Sequence, residues 1–227
     1  MEESVMLDRR RCAVALEPSL RDPRRRVLDA FVQTVAREGY GRTTIEAVLV
    51  LAEVPEPVFY EHFEDKQDCL LAALDERISR IEDAISRRID GSQGWSERVG
   101  LGLQALLEAL AGDPEGARLA LVECLGAGEP VLARLHSAVA SCVPMLEQGL
   151  SDPETADTDH LPPQISEAVV GGIASILHRL ALERHTDELP GLLPDLLYFA
   201  LMPYLGHERA LAISRRRSRA GTGSSGR

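Results

Sequence analysis

Apolar residues recur every three or four positions along almost the whole of this chain, and nowhere in the strict alternation of a strand. That spacing suits helices that bury one face against each other. After Pro23, Val27, Leu28, Phe31, Val32 and Val35 fall on one face, and Gly39 and Gly41 close the run. Thr43 and Thr44 offer a hydroxyl cap to a short helix carrying Ile45, Val48, Leu49 and Ala52. Pro55 and Pro57 open a third helix with Val58, Phe59 and Phe63, and Asp65 can cap a fourth from Lys66 to about Ile89. The pattern predicts further helices at about 95–111, 114–126, 129–150, 164–186 and 188–206. Loops are expected at Asp90–Gly94 and Ser151–Pro163, where Gly, Pro, Asp and Thr concentrate. The expected class is all-α.

Composition narrows the function. The chain has 227 residues, 44% of them hydrophobic, so it can bury a real core. Its 25 basic residues against 36 acidic give a net charge of -11, which argues against a blanket nucleic-acid binder. Lys66 is the one lysine among those basic residues. The apolar runs at Ala47–Ala52 and Leu189–Leu205 are too short or too broken for a membrane span, so no membrane partner is expected. The N-terminus lacks an apolar signal region. Cys12, Cys69, Cys124 and Cys142 have no paired spacing and read as reduced thiols, so the expected location is the cytoplasm. The histidines, including His136, His160, His178, His185 and His207, lack zinc spacing, so neither a metal nor a cofactor is expected. With no P-loop, G-x-G-x-x-G or G-x-S-x-G, an enzyme is not expected.

The informative stretch is Thr44–Phe63, two short helices about four residues apart. This is the layout of a helix-turn-helix, in which the first helix braces a second that lies in the DNA major groove. Ile45, Val48, Val54, Phe59 and Phe63 can share one small core, with helix 24–38 packed across both.

Residues 24–75 resemble the N-terminal domain of the TetR family of bacterial transcriptional regulators. The resemblance rests on Arg26-Val-Leu-Asp-Ala-Phe, Gly39-Tyr40, Thr43-Thr44-Ile45, Ala52-x-Val54, Phe59-Tyr60-x-His62-Phe63 and Asp65-Lys66. Ala117-Arg118-Leu119, Val122-Glu123, Gly126-Ala-Gly and Pro203-Tyr204-Leu205-Gly206 resemble members of actinobacterial type. Residues 1–20, which mix charges with a weak apolar patch, read as a flexible arm, and the polar Arg/Ser/Gly run at 214–227 reads as a disordered tail. The resemblance implies a DNA-binding domain at 21–81 with its helix-turn-helix at 44–63, and a helical dimerisation and ligand-binding domain at 82–213. It further implies a homodimer on a pseudo-palindromic double-stranded DNA operator. An unidentified small-molecule effector would release that operator, as expected of a repressor.

Thr44, Tyr60, His62 and Lys66 match positions that contact DNA phosphates in the family, and Thr43 adjoins them. Leu103, Leu107, Leu121, Leu125 and His136 are candidates for the effector pocket. Val169, Gly172, Ile173, Ile176 and Leu180 are candidates for the dimer face.

The turn and recognition helix depart from the family pattern. Glu53–Glu61 holds three Glu and two Pro, with no Arg, Lys, Asn or Gln. Pro55 replaces a hydroxyl cap, Glu56 has only a cytosine amino group as a good base partner, and Val58 suits a thymine methyl. Compensating charge lies in Arg9–Arg11 and in Arg24, Arg25 and Arg26, which suit either the minor groove and phosphates or plain solvation. Two readings therefore stand. One is a DNA-binding regulator; the other is a TetR-like helical dimer with weak or lost DNA binding, acting as a ligand-binding or interaction module.

Overall fold

The computed structural model describes residues 22–91, 94–153, 155 and 161–222, with side chains to residue 217. The expected arm at 1–20, with Arg9–Arg11 and Cys12, lies outside the described residues, as do His160 and residues 223–227. Every regular element among the described residues is helical.

The chain divides into two compact units, Met1–Ala73 and Leu74–Arg227. In the first, α1 spans Pro23–Glu38; the Asp22 carboxylate accepts from the Arg24 N–H, and the Gly39 N–H bonds back to Val35. α2 (Ile45–Ala52) starts at Thr44, whose hydroxyl accepts from Ala47 N–H at 3.2 Å. α3 (Glu56–His62) follows Pro55, which offers no side-chain cap. α4 (Lys66–Ile89) begins in this unit and ends in the second. At its start the Asp68 N–H donates to Asp65 at 2.8 Å, while Asp68 accepts from the Glu64 N–H at 3.0 Å. This satisfies two donors at a helix start. Val27, Leu28, Phe31, Val32, Val35, Val48, Leu49, Val54, Phe59, Phe63, Cys69 and Leu70 are buried. Burial pushes the Cys69 thiol far up, so it stays protonated.

In the second unit α5 (Trp95–Gly112) leads to α6 (Pro114–Leu121), capped by the Asp113 carboxylate, which accepts from Gly116 N–H at 2.9 Å. Arg77 of α4 pairs with the same Asp113 at 3.4 Å. α7 (Glu129–Ala140), α8 (Val143–Glu147), α9 (Ile165–Glu183) and α10 (Leu193–Thr222) follow, joined in part by 3-10 turns at Glu123–Gly126, Gln148–Leu150 and Thr186–Leu192. Trp95, Leu103, Leu107, Val169, Ile173, Leu177, Leu180, Leu197, Leu201 and Tyr204 form the core. Within it the Trp95 indole N–H donates to the Met145 carbonyl at 2.7 Å, and the indole edge meets Tyr204 at 5.1 Å. The buried Tyr204 hydroxyl and Ser166 Oγ are 2.7 Å apart. Burial raises the Tyr204 pKa above its ordinary value.

Gly149 lies flat against the Trp95 ring, and a Cβ there would come within 2.4 Å of it. Gly149→Ala is therefore expected to destabilise the second unit by about 1–3 kcal/mol through overpacking. Thermal unfolding checks this, together with the change in fluorescence of the sole Trp.

Several boundaries correct the sequence reading. The helix expected over 129–150 breaks at Ser141–Cys142, just before Pro144. The helix expected over 114–126 stops at Leu121 and tightens into a 3-10 turn, and the one expected from 188 starts as another. The tail expected from Ser214 is instead helical to Thr222, with Ser214 buried and its hydroxyl donating to Leu211 O at 3.1 Å. α10 carries one interruption at Gly206, whose φ of 74° and ψ of 168° suit glycine alone. α9 is also long and apolar enough to cross a membrane, which no run in the sequence suggested; Val169, Ile173, Leu177 and Leu180 place one of its faces in the core.

Candidate nucleic-acid interface

The candidate surface is α2, the turn at Glu53–Pro55, and α3. Phe59 and Phe63 point inward, with ring centroids 5.3 Å apart, and α1 covers them. On the outer side Thr44, Pro55, Glu56, Tyr60 and His62 are exposed, Tyr60 at 52%. Val58 is half-buried. Arg24 and Arg25 are exposed at the start of α1; Arg24 lies over the Phe63 ring at 5.5 Å, and Arg25 faces Asp29 at 3.9 Å.

Three residues expected at DNA are engaged inside the unit instead. The Lys66 ammonium donates to the carbonyls of Tyr40 at 3.0 Å and Thr43 at 3.1 Å, and lies 4.3 Å from the Tyr40 ring centroid. It ties the start of α4 to the α1–α2 loop. Thr43 is buried, and its hydroxyl donates to Gly39 O at 3.0 Å. The Arg26 guanidinium donates to the carbonyls of Ala52 at 2.5 Å and Glu53 at 3.0 Å, closing the C-terminal end of α2. In this structure the polar groups of Lys66, Thr43 and Arg26 bond backbone carbonyls around the turn.

Glu53 occupies the left-handed region at φ 51° and ψ 47°, where glycine is at ease and a side chain is not. Its carboxylate is 3.6 Å from Arg26, but it is exposed and the pair contributes little. Glu53→Gly is therefore expected to raise the stability of the first unit by about 0.5–1 kcal/mol. A higher denaturation midpoint at unchanged denaturant dependence checks it.

One feature escaped the motif reading. Leu49, Val50 and Val54 line a groove together with Glu46, Glu53 and Glu56, and Val50 is 79% exposed. The signal was available, since Val50 and Leu51 lie off the face set by Ile45, Val48, Leu49 and Ala52.

In the second unit Leu103 and Leu107 are core residues and Leu121, partly buried, packs against that core, whereas Leu125 and His136 are exposed. These five do not form the shared lining expected of them. The Leu121 carbonyl is 2.7 Å from His178 Nδ1, so that histidine serves the fold. Of the expected dimer residues, Val169, Ile173 and Leu180 are buried in the chain's own core and unavailable to a partner. Gly172 and Ile176 are half-buried, with Gly172 against the Phe199 ring. No cluster of three metal-ligating side chains occurs among the described residues.

Among the described residues the chain is helical, with a braced helix-turn-helix preceding a larger helical unit in sequence, and this is a TetR-like fold. Residues 27–73 match the family model described as bacterial regulatory proteins, tetR family. The HTH-type transcriptional regulator HbdR of Aromatoleum sp. (strain CIB) is 31% identical over 88 residues, 38% of each chain. The fatty acid metabolism regulator protein of Bacillus subtilis (strain 168) is 24% identical over 87 residues, 38% of this chain and 45% of that protein. These matches span less than half the length of either relative. Among solved structures, the transcriptional regulator FadR from Bacillus subtilis, in complex with stearoyl-CoA, superposes with a TM-score of 0.69. It covers 78% of this chain and 97% of its own at 17% identity, a likeness of fold.

Proposed function

We propose that the chain is a DNA-binding transcriptional regulator of tetR type. In this reading residues 21–81 bind DNA, and residues 82–213 dimerise and hold an effector. A homodimer sets one α2–turn–α3 head on each half-site of a pseudo-palindromic operator, and a small molecule binding the second unit releases it. It thereby acts as a repressor in the cytoplasm. The observation that carries this is the braced α2–turn–α3 pair, with Thr44, Tyr60 and His62 exposed over a buried Phe59 and Phe63. Exposed Leu182, Phe199 and Met202 support a homodimer. The Leu-rich interior of the second unit, and a structural neighbour solved with stearoyl-CoA, support an effector with an apolar body. Ala117-Arg118-Leu119 and Pro203-Tyr204-Leu205-Gly206 support an actinobacterial type.

The second reading, a helical dimer with weak or lost DNA binding, is favoured by one observation. Glu53, Glu56 and Glu61 are exposed on the turn and α3, while Arg26 and Lys66 are held by carbonyls. A mobility-shift titration against DNA flanking the chain's own gene separates the two. The regulator is expected to bind one palindrome specifically, with affinity falling steeply as salt rises. Weak, sequence-blind binding selects the second reading.

A further inference from the structure

We propose that the groove at the α2–α3 turn is the docking site of the chain's own N-terminal arm, through residues 9–16. The groove is lined by Leu49, Val50 and Val54 together with Glu46, Glu53 and Glu56. Val50 is 79% exposed and Leu51 beside it is exposed too, more apolar surface than an eight-residue helix ordinarily leaves in water.

The join between arm and fold lies close by. The Arg26 guanidinium reaches the carbonyls of Ala52 and Glu53, so the first turn of α1 is beside a groove residue. Asp22 precedes Arg26 by one helical turn, about 6 Å along the axis. Six residues of extended chain span up to about 20 Å, so Leu16 can reach the groove from Asp22.

The chemistry of the arm matches as well. Arg9-Arg10-Arg11 is followed by Cys12-Ala-Val-Ala-Leu16. A cationic run followed by an apolar one complements carboxylates set around apolar side chains. Docked within one chain, the arm covers Val50 and sets its arginines against Glu46, Glu53 and Glu56. That surface, where Glu53 already faces Arg26 at 3.6 Å, then presents less net negative charge. The docking stands whether or not the chain binds DNA.

Cys12 supplies the test, because Cys69 and Cys124 are buried and Cys142 is half-buried. The full-length Val50→Cys variant is oxidised gently with glutathione disulfide, and its disulfides are mapped by mass spectrometry. The expected product is an intrachain disulfide between Cys12 and position 50. It should form about tenfold faster than the one to Gln33→Cys on the exposed side of α1, through the higher effective concentration. Replacing Arg9, Arg10 and Arg11 together by alanine, or raising salt to about 1 M, is expected to slow it about fivefold. Glu46→Cys is expected to behave like Val50→Cys. Equal rates at positions 50 and 33 overturn the proposal. So do interchain disulfides alone, growing with protein concentration, which assign the groove to another copy's arm.

Discussion

Phe59→Ala is expected to cost the first unit about 3–5 kcal/mol, enough to unfold a domain of ordinary marginal stability. Phe59 is almost fully buried and packs its ring against Phe63 at 5.3 Å. Loss of that ring leaves a cavity between α3 and the elements that brace it. Tyr60, the next residue, faces out. Tyr60→Phe removes only a hydroxyl from the surface and should shift stability by less than about 0.5 kcal/mol. If the proposed function holds, it nevertheless weakens DNA binding by a similar factor on every sequence, as a phosphate contact would. Urea denaturation of both variants, beside mobility shifts, checks this pairing of neighbours with opposite outcomes. Equal losses of stability would mean that α3 does not present the face described.

The second large effect is expected at Lys66. Lys66→Ala removes two charge-assisted bonds to carbonyls and a cation held against the Tyr40 ring. About 2–3 kcal/mol of stability should go with them, because each lost bond is made by a charged donor in a part-buried site. If the proposed function holds, DNA affinity is expected to fall too, through fraying of the turn. The salt dependence of the residual binding is therefore expected to stay as in the parent. A phosphate contact would instead reduce the slope by about one unit. Calorimetry and a salt titration of the same variant separate the two roles.

The contrast between Lys66 and Tyr60 marks what the sequence could reveal. Helix starts were legible where a cap residue stood out in the sequence, at Thr44 before Ile45 and Asp65 before Lys66, whereas the Asp22 cap before Pro23 emerged only in the structure. These are contacts between residues two or three apart, and residue type with spacing encodes them. The burial of Phe59 followed from the apolar spacing, and the outward position of Tyr60 was implied by the family resemblance. What Arg26, Thr43 and Lys66 do was not legible by that route. Arg26 and Lys66 reach carbonyls 23 to 27 residues away, and a basic side chain near a helix-turn-helix looks the same whether it faces a phosphate or a carbonyl. The second unit was harder for a related reason. Leu103, Leu107 and Leu125 share a residue type and a helical setting, yet only packing tells the core pair from the exposed one. Val169, Ile173 and Leu180 likewise formed a stripe that served the chain's own core before any partner. The break at Ser141–Cys142 was overlooked although Pro144 signalled it, because the apolar spacing runs on through Met145 and Leu146.

In the proposed function α2 and α3 form the face that meets DNA, and the bonds made by Lys66, Thr43 and Arg26 hold that face together from within. Amide hydrogen exchange of the full chain, with and without a duplex carrying the flanking DNA of its gene, tests this most directly. The expected result is slowed exchange on adding DNA across residues 44–48 and 56–62, with little change in the core of the second unit. Unchanged exchange across both segments, under conditions where the duplex is bound, would contradict the account.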